Sequence, residues 1–148
     1  MSKRKTIPVT GTLPAGKYYV GDPCYVIDNA KWNDFLEAWY EPFGGDGNKA
    51  AAAVFEFEGH SVFVTDTNTG DGIFEDQHGA VYPVDAGMIA AIPVALVKRK
   101  INRDCPGWVA DCINARTTFG KRFEVGADKG RWIDNGKRIQ IGNIVINT

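Results

Sequence analysis

The chain has 148 residues with 44% apolar content, enough for one compact core and too little for two domains. Lys plus Arg is 17 and Asp plus Glu is 18, so the net charge of -1 sets up no overall field to draw nucleic acid or an anionic membrane. With 24% charged residues against 4 Trp, 5 Tyr and 8 Phe, the composition excludes a disordered chain, and no apolar run approaches the roughly 20 residues that span a bilayer.

Pro8, Gly11, Pro14 and Gly16 interrupt the start of the chain, which predicts a flexible tail over residues 1–16 and a single globular domain over residues 17–148. The basic start leads into Pro8 rather than an apolar stretch, which points to a soluble, unexported protein of the cytoplasm. Tyr18-Tyr19-Val20 and Cys24-Tyr25-Val26-Ile27 read as short strands on either side of Gly21-Asp22-Pro23. Asp28 or Asn29 then caps one amphipathic helix over about residues 29–41, in which Trp32, Phe35, Leu36, Trp39 and Tyr40 form a single stripe at the helical period. Pro42 and Gly44-Gly45 stop it.

Val54-Phe55-Glu56-Phe57 and Ser61-Val62-Phe63-Val64-Thr65 predict a hairpin around Glu58-Gly59-His60. After the acidic loop Asp66 to Gly79, Ala80 to Val84 and Met88 to Val97 read as two strands divided by Asp85-Ala86-Gly87, with Pro83 and Pro93 pushing both toward sheet edges or bulges. Between Arg103 and Gly120 the pattern accommodates one short helix after Pro106. Lys121 to Val125 is β-like, Arg131 to Ile133 and Lys137 to Ile141 predict a C-terminal hairpin on Asn135-Gly136, and Asn143 to Asn147 adds a last strand. The expected fold class is α+β, mainly β: antiparallel sheets with the one helix packed on them.

Cys24, Cys105 and Cys112 form an odd set without the even spacing of a secreted disulfide framework, which favours buried thiols in a reducing compartment. Cys24 would act as a nucleophile only with His60 or His78 beside it. Asp66, Asn68 and Asp71 place oxygen ligands near an EF-type spacing, but counting from Asp66 puts Asp71 where a Gly is required and Gln77 where the bidentate Glu belongs. A divalent cation held in some other arrangement there stands against a turn capped by its own Asx side chains. Asp22, Asp71 and Asp85 each sit beside turn-forming neighbours; brought together they would form a carboxylate cluster for a metal or for acid–base work, with Asp76 or His78 assisting. Otherwise each satisfies donors in its own turn. The common hydrolase, nucleotide-loop and zinc-protease motifs are absent.

Charge is uneven along the chain: residues 1–97 hold 6 Lys/Arg against 13 Asp/Glu, and residues 98–148 hold 11 against 5. The halves either neutralise each other within the domain or leave a basic face for an anion. In the second case Arg131, with Lys129 and Arg138, is the ligand-binding candidate, since a guanidinium grips phosphate or carboxylate through paired hydrogen bonds.

Gly16 to Ile27, Trp32, Gly70-Asp71-Gly72 and Tyr82-Pro83-Val84-Asp85-Ala86-Gly87 resemble a group of small bacteriophage and bacterial proteins that share a Gly-Asp-Pro turn followed, after an acidic loop, by a Val-Asp-Ala-Gly turn. The likeness covers about residues 16–97 and implies a phage or prophage setting and a β-rich fold, with no reaction attached. Three readings follow. The first is a non-enzymatic binding module that holds a host protein or a small anionic ligand such as a signalling nucleotide. The second is a metal-dependent hydrolase built on Asp22, Asp71 and Asp85, and the third is a virion or assembly component. Membrane and nucleic-acid partners fit none of them, whereas a homo-oligomer fits each.

Overall fold

The computed structural model describes residues 9–97, 116–129 and 137–148. β1 (Val9–Leu13), β9 (Phe123–Lys129), β10 (Lys137–Ile141) and β11 (Ile144–Asn147) form a four-stranded sheet in the order β1-β9-β10-β11. β2 (Gly16–Gly21), β3 (Ala53–Phe57), β4 (His60–Asp66), β7 (Met88–Pro93) and β8 (Arg116–Phe119) form a five-stranded sheet in the order β3-β4-β7-β2-β8, and β5 (Gly72–Glu75) pairs with β6 (Val81–Val84) as a ribbon. All these pairings are antiparallel, and among the described residues one α-helix, α1 (Trp32–Tyr40), completes the α+β, mainly β architecture.

Alternation along the strands builds three layers. In β4, Phe63 faces the four-stranded sheet while Val62 and Val64 face the helix; in β7, Ile89 and Ala91 face the first side and Met88, Ala90 and Ile92 the second. The five-stranded sheet is therefore buried on both faces, which is why its central strands read as unbroken apolar runs. Leu13, Phe123, Val125, Ile139, Ile141 and Ile146 cover one face. The helical stripe covers the other, with Phe35 fully buried and its ring edge-on to Phe57 at 5.2 Å. Burying a side chain of that size contributes about 2–3 kcal/mol. Asp28 starts this segment by accepting from the Ala30 N–H at 3.1 Å, and Trp39 Nε1 donates to the Ala51 carbonyl at 2.8 Å.

Four expectations are corrected. The predicted tail contains β1, which pairs with β9 and buries Leu13 completely, so order begins at least as early as Val9. Gly11 reads as a breaker in sequence, yet a Cβ there would come within 2.6 Å of Val54, so the glycine permits close packing. Cys24 to Ile27 is not a strand: Pro23–Tyr25 is a 3-10 turn capped by the Asp22 side chain. Pro93 does not push β7 to an edge, because it is the last residue of a central strand. Finally, β10 pairs with β9, Lys137 opposite Lys129 and Ile141 opposite Val125, which is not the register that a two-residue turn at Asn135-Gly136 would set. The C-terminal hairpin is instead β10 with β11, joined by Gly142-Asn143. Gly142 has φ +59°, and a Cβ there would strike Phe119 at 2.2 Å. The Asn135-Gly136 turn, the helix predicted after Pro106, and Cys105 and Cys112 lie outside the described residues.

The β3–β4 hairpin turns on Glu58 (φ 50°) and Gly59 (φ 80°), as expected for a two-residue loop with positive φ at both positions. Lys31 and Glu58 form an ion pair that ties this turn to the start of the helical segment.

Candidate functional site

The three aspartate turns singled out in the sequence meet at one end of the five-stranded sheet. Asp22 is 0% exposed, its Oδ1 accepting from the Cys24 N–H at 2.8 Å and its Oδ2 from the Asp85 and Ala86 N–H groups, each at 2.7 Å. The Cys24 thiol adds a further hydrogen bond. In return, the Tyr25 hydroxyl donates to Asp85 Oδ2 at 2.6 Å. The Gly-Asp-Pro and Val-Asp-Ala-Gly turns, more than sixty residues apart, are thus latched reciprocally. Gly21 is needed in the first: its φ is +150°, and a Cβ would lie 2.7 Å from the Tyr19 hydroxyl, which donates to the Asp22 carbonyl.

The acidic loop joins the same cluster. The Thr67 N–H donates to the Gly87 carbonyl at 2.9 Å, and Asp71 Oδ1 lies 3.8 Å from where a Gly87 Cβ would stand. Burial pushes the Asp22 carboxyl above its ordinary value against the opposing pull of the Ala86, Cys24 and Asp85 N–H groups. Burial, followed by the hydrogen bond to Asp85, raises the Tyr25 hydroxyl strongly.

This arrangement brings Asp22, Asp71 and Asp85 to one region, but as a latch between turns. Asp22 faces backbone donors and not solvent, and among the described residues no group of three or more His, Cys, Asp or Glu is placed to hold a metal ion. Asp66 closes β4 opposite Met88, and the Asn68 N–H donates to Thr148 Oγ1 at 3.1 Å. His60 begins β4 at the end away from Cys24. His78 sits in a turn closed by Asp76, which accepts from the His78 and Ala80 N–H groups and the Tyr82 hydroxyl. Burial raises Asp76, but the Tyr82 hydroxyl and those N–H groups outweigh it and hold the carboxyl below its ordinary value.

Of the basic candidates, Arg131 lies outside the described residues. Arg138 is half-buried, opposite Asp128 on one side and Asn147 on the other. Lys129 ends β9 opposite Lys137.

At the far end of the five-stranded sheet lies an open groove of about 440 Å³, which sequence reasoning missed. Its origin is Pro93. There β7 stops, and the 3-10 turn Val94–Leu96 carries Leu96 into the helix-side core, so β2 and β4 lose the strand between them. Two strand spacings separate them, about 10 Å. Lys17 lines one wall, His60 and Ser61 the other, and Tyr18, Pro93 and Val94 supply apolar surface. Ser61 Oγ also donates to Glu56 at 3.3 Å, and the Tyr18 hydroxyl fixes the preceding turn by donating to the Pro14 carbonyl at 2.6 Å. The one signal in the sequence was a proline ending an apolar run, which says nothing of what stands on either side.

No family model, curated protein or solved structure matches the chain. Among the described residues no helix is long and apolar enough to cross a membrane.

Proposed function

We propose that the protein is a non-enzymatic binding module that takes a small anionic ligand of nucleotide size in the groove between β2 and β4. The observation that carries this reading is the groove itself: Lys17 on one wall, His60 with Ser61 on the other, and apolar surface between them, in a volume within the range of small-ligand sites. An ammonium group binds phosphate or carboxylate through charge, an imidazole and a hydroxyl add hydrogen bonds, and the apolar surface accepts a ring. Engagement of Asp22 and Asp85 in the latch supports a binding role over carboxylate catalysis. With the motif resemblance, the setting proposed is a phage or prophage accessory protein acting in the host cytoplasm, where it sequesters a signalling nucleotide.

Calorimetric titration with nucleoside monophosphates, nucleoside polyphosphates and cyclic dinucleotides tests this. At least one class should bind, and Lys17→Glu should weaken it by about tenfold or more, the scale of one charge-assisted hydrogen bond. Absence of binding across the panel, or binding indifferent to Lys17→Glu, overturns the assignment. A parallel titration with Mg²⁺ or Mn²⁺ that gave binding abolished by Asp71→Asn would favour metal-dependent hydrolysis instead.

A further inference from the structure

A second surface lies on the ribbon. Gly72 pairs with Val84 and Phe74 with Tyr82, and these residues face inward: Tyr82 and Val84 belong to the core, with Phe74 packed against it. The alternate residues Ile73, Glu75 and Val81 are exposed, while Pro83, which pairs with Ile73, is buried. Ile73 is 61% exposed and Val81 39%, and these are the exposed large hydrophobic residues among the described residues. They are diagonal neighbours on one rigid platform. The Asp76 turn fixes the ribbon's tip, and an Asp76–Ile146 bridge ties it to β11. The Gln77 side-chain amide behaves like an added strand residue, donating to the Asn143 carbonyl at 2.6 Å and accepting from the Val145 N–H at 2.8 Å.

The ribbon and the segments that flank it in sequence carry charge of one sign. Glu75 shares the outward face, exposed Asp71 and Asp85 flank the strand ends, and the chain carries no Lys or Arg between Lys49 and Lys98. We infer that the outer face of the β5–β6 ribbon docks a Lys/Arg-rich segment of a partner protein that places an aliphatic side chain over Ile73 and Val81 and its cations against Glu75, Asp71 and Asp85. Charge complementarity selects the partner and steers its approach, while the apolar pair supplies contact that water disfavours. This site is distinct from the groove and does not depend on it.

The test is fluorescence anisotropy with a labelled ten-residue peptide in which Lys alternates with Leu, against the same peptide with every Lys replaced by Glu. The Lys peptide should bind and the Glu peptide should not, with affinity falling as salt rises from about 0.05 to 0.3 M. Ile73→Asp and Glu75→Lys should each weaken binding roughly tenfold or more, near the transfer free energy of one aliphatic side chain. Both positions are exposed, so the melting temperature should hold. Lys17→Glu should leave this binding unchanged, which separates failure here from failure of the groove assignment. Lack of binding by the Lys peptide, or binding that survives both ribbon substitutions, overturns the proposal. So does light scattering that reveals a dimer dissociated by Ile73→Asp, because the face then belongs to a second copy.

Discussion

The two ends of the five-stranded sheet are built on opposite plans. At the end formed by Gly21, Asp66 and Met88 the connecting segments converge, and a buried carboxylate latches two turns distant in sequence. At the other end the central strand leaves the sheet at Pro93 and the flanking strands are left apart. Both ends carry charged or titratable side chains, so residue type alone does not distinguish them. What distinguishes them is whether backbone donors consume the polar atoms. Asp22 faces three N–H groups, whereas Lys17 and His60 line open space.

The comparison breaks most readily at Asp22. Asp22→Ala would leave the partly buried Cys24, Asp85 and Ala86 N–H groups without their acceptor, and the expected loss is about 3–5 kcal/mol in a denaturant titration. A loss below roughly 1 kcal/mol would mean that the turns hold together without the carboxylate.

A subtler version uses pH. The folded Asp22 carboxyl sits above its ordinary value of 3.8, so the fold holds the proton more tightly than the unfolded chain does. Its contribution to stability is therefore fully present below about pH 3.8 and is lost as pH rises through the higher folded value, becoming constant above it. The stability difference between wild type and Asp22→Asn should follow that course. A difference that grew with pH would show instead that the N–H groups outweigh burial.

Tyr25→Phe removes the reciprocal hydrogen bond to Asp85 and should cost about 1–2 kcal/mol, less than the loss of Asp22 because only one acceptor is released. The smallest effect on stability belongs to the open end. Lys17→Glu should change unfolding free energy by no more than about 0.5 kcal/mol while weakening ligand binding about tenfold or more. If Lys17→Glu unfolded the protein, or if Asp22→Ala abolished binding without loss of stability, the roles of the two ends would be exchanged.

Much of the fold is local and was legible. The Trp32 to Tyr40 stripe repeats at the helical period, and Phe57-Glu58-Gly59-His60 carries its own turn chemistry. Runs such as Val62-Phe63-Val64 and Met88 to Ile92 announce strands, although only the packing showed that both faces are covered. The ordered Gly-Asp-Pro, Gly-Asp-Gly and Val-Asp-Ala-Gly turns were visible too, although their meeting was not. Their hydrogen bonds span sixty residues or more, and no spacing rule reaches so far.

The failures share that cause. β1 was read as tail because Gly11 and Pro14 are breakers in isolation, while its strand character comes from β9, over a hundred residues later. The Asn135-Gly136 dipeptide suggested a tight hairpin, but β10 pairs with Val125 to Lys129, where Val125 and Ala127 extend the buried face that Ile139 and Ile141 require. Sequence by itself determined the helical stripe, the β3–β4 hairpin and the turn residues, because these depend on periods of two or 3.6 and on φ preferences within a few positions. Only the tertiary structure decided which carboxylates are consumed and where space remains, because burial and long-range pairing determine which polar atoms stay accessible.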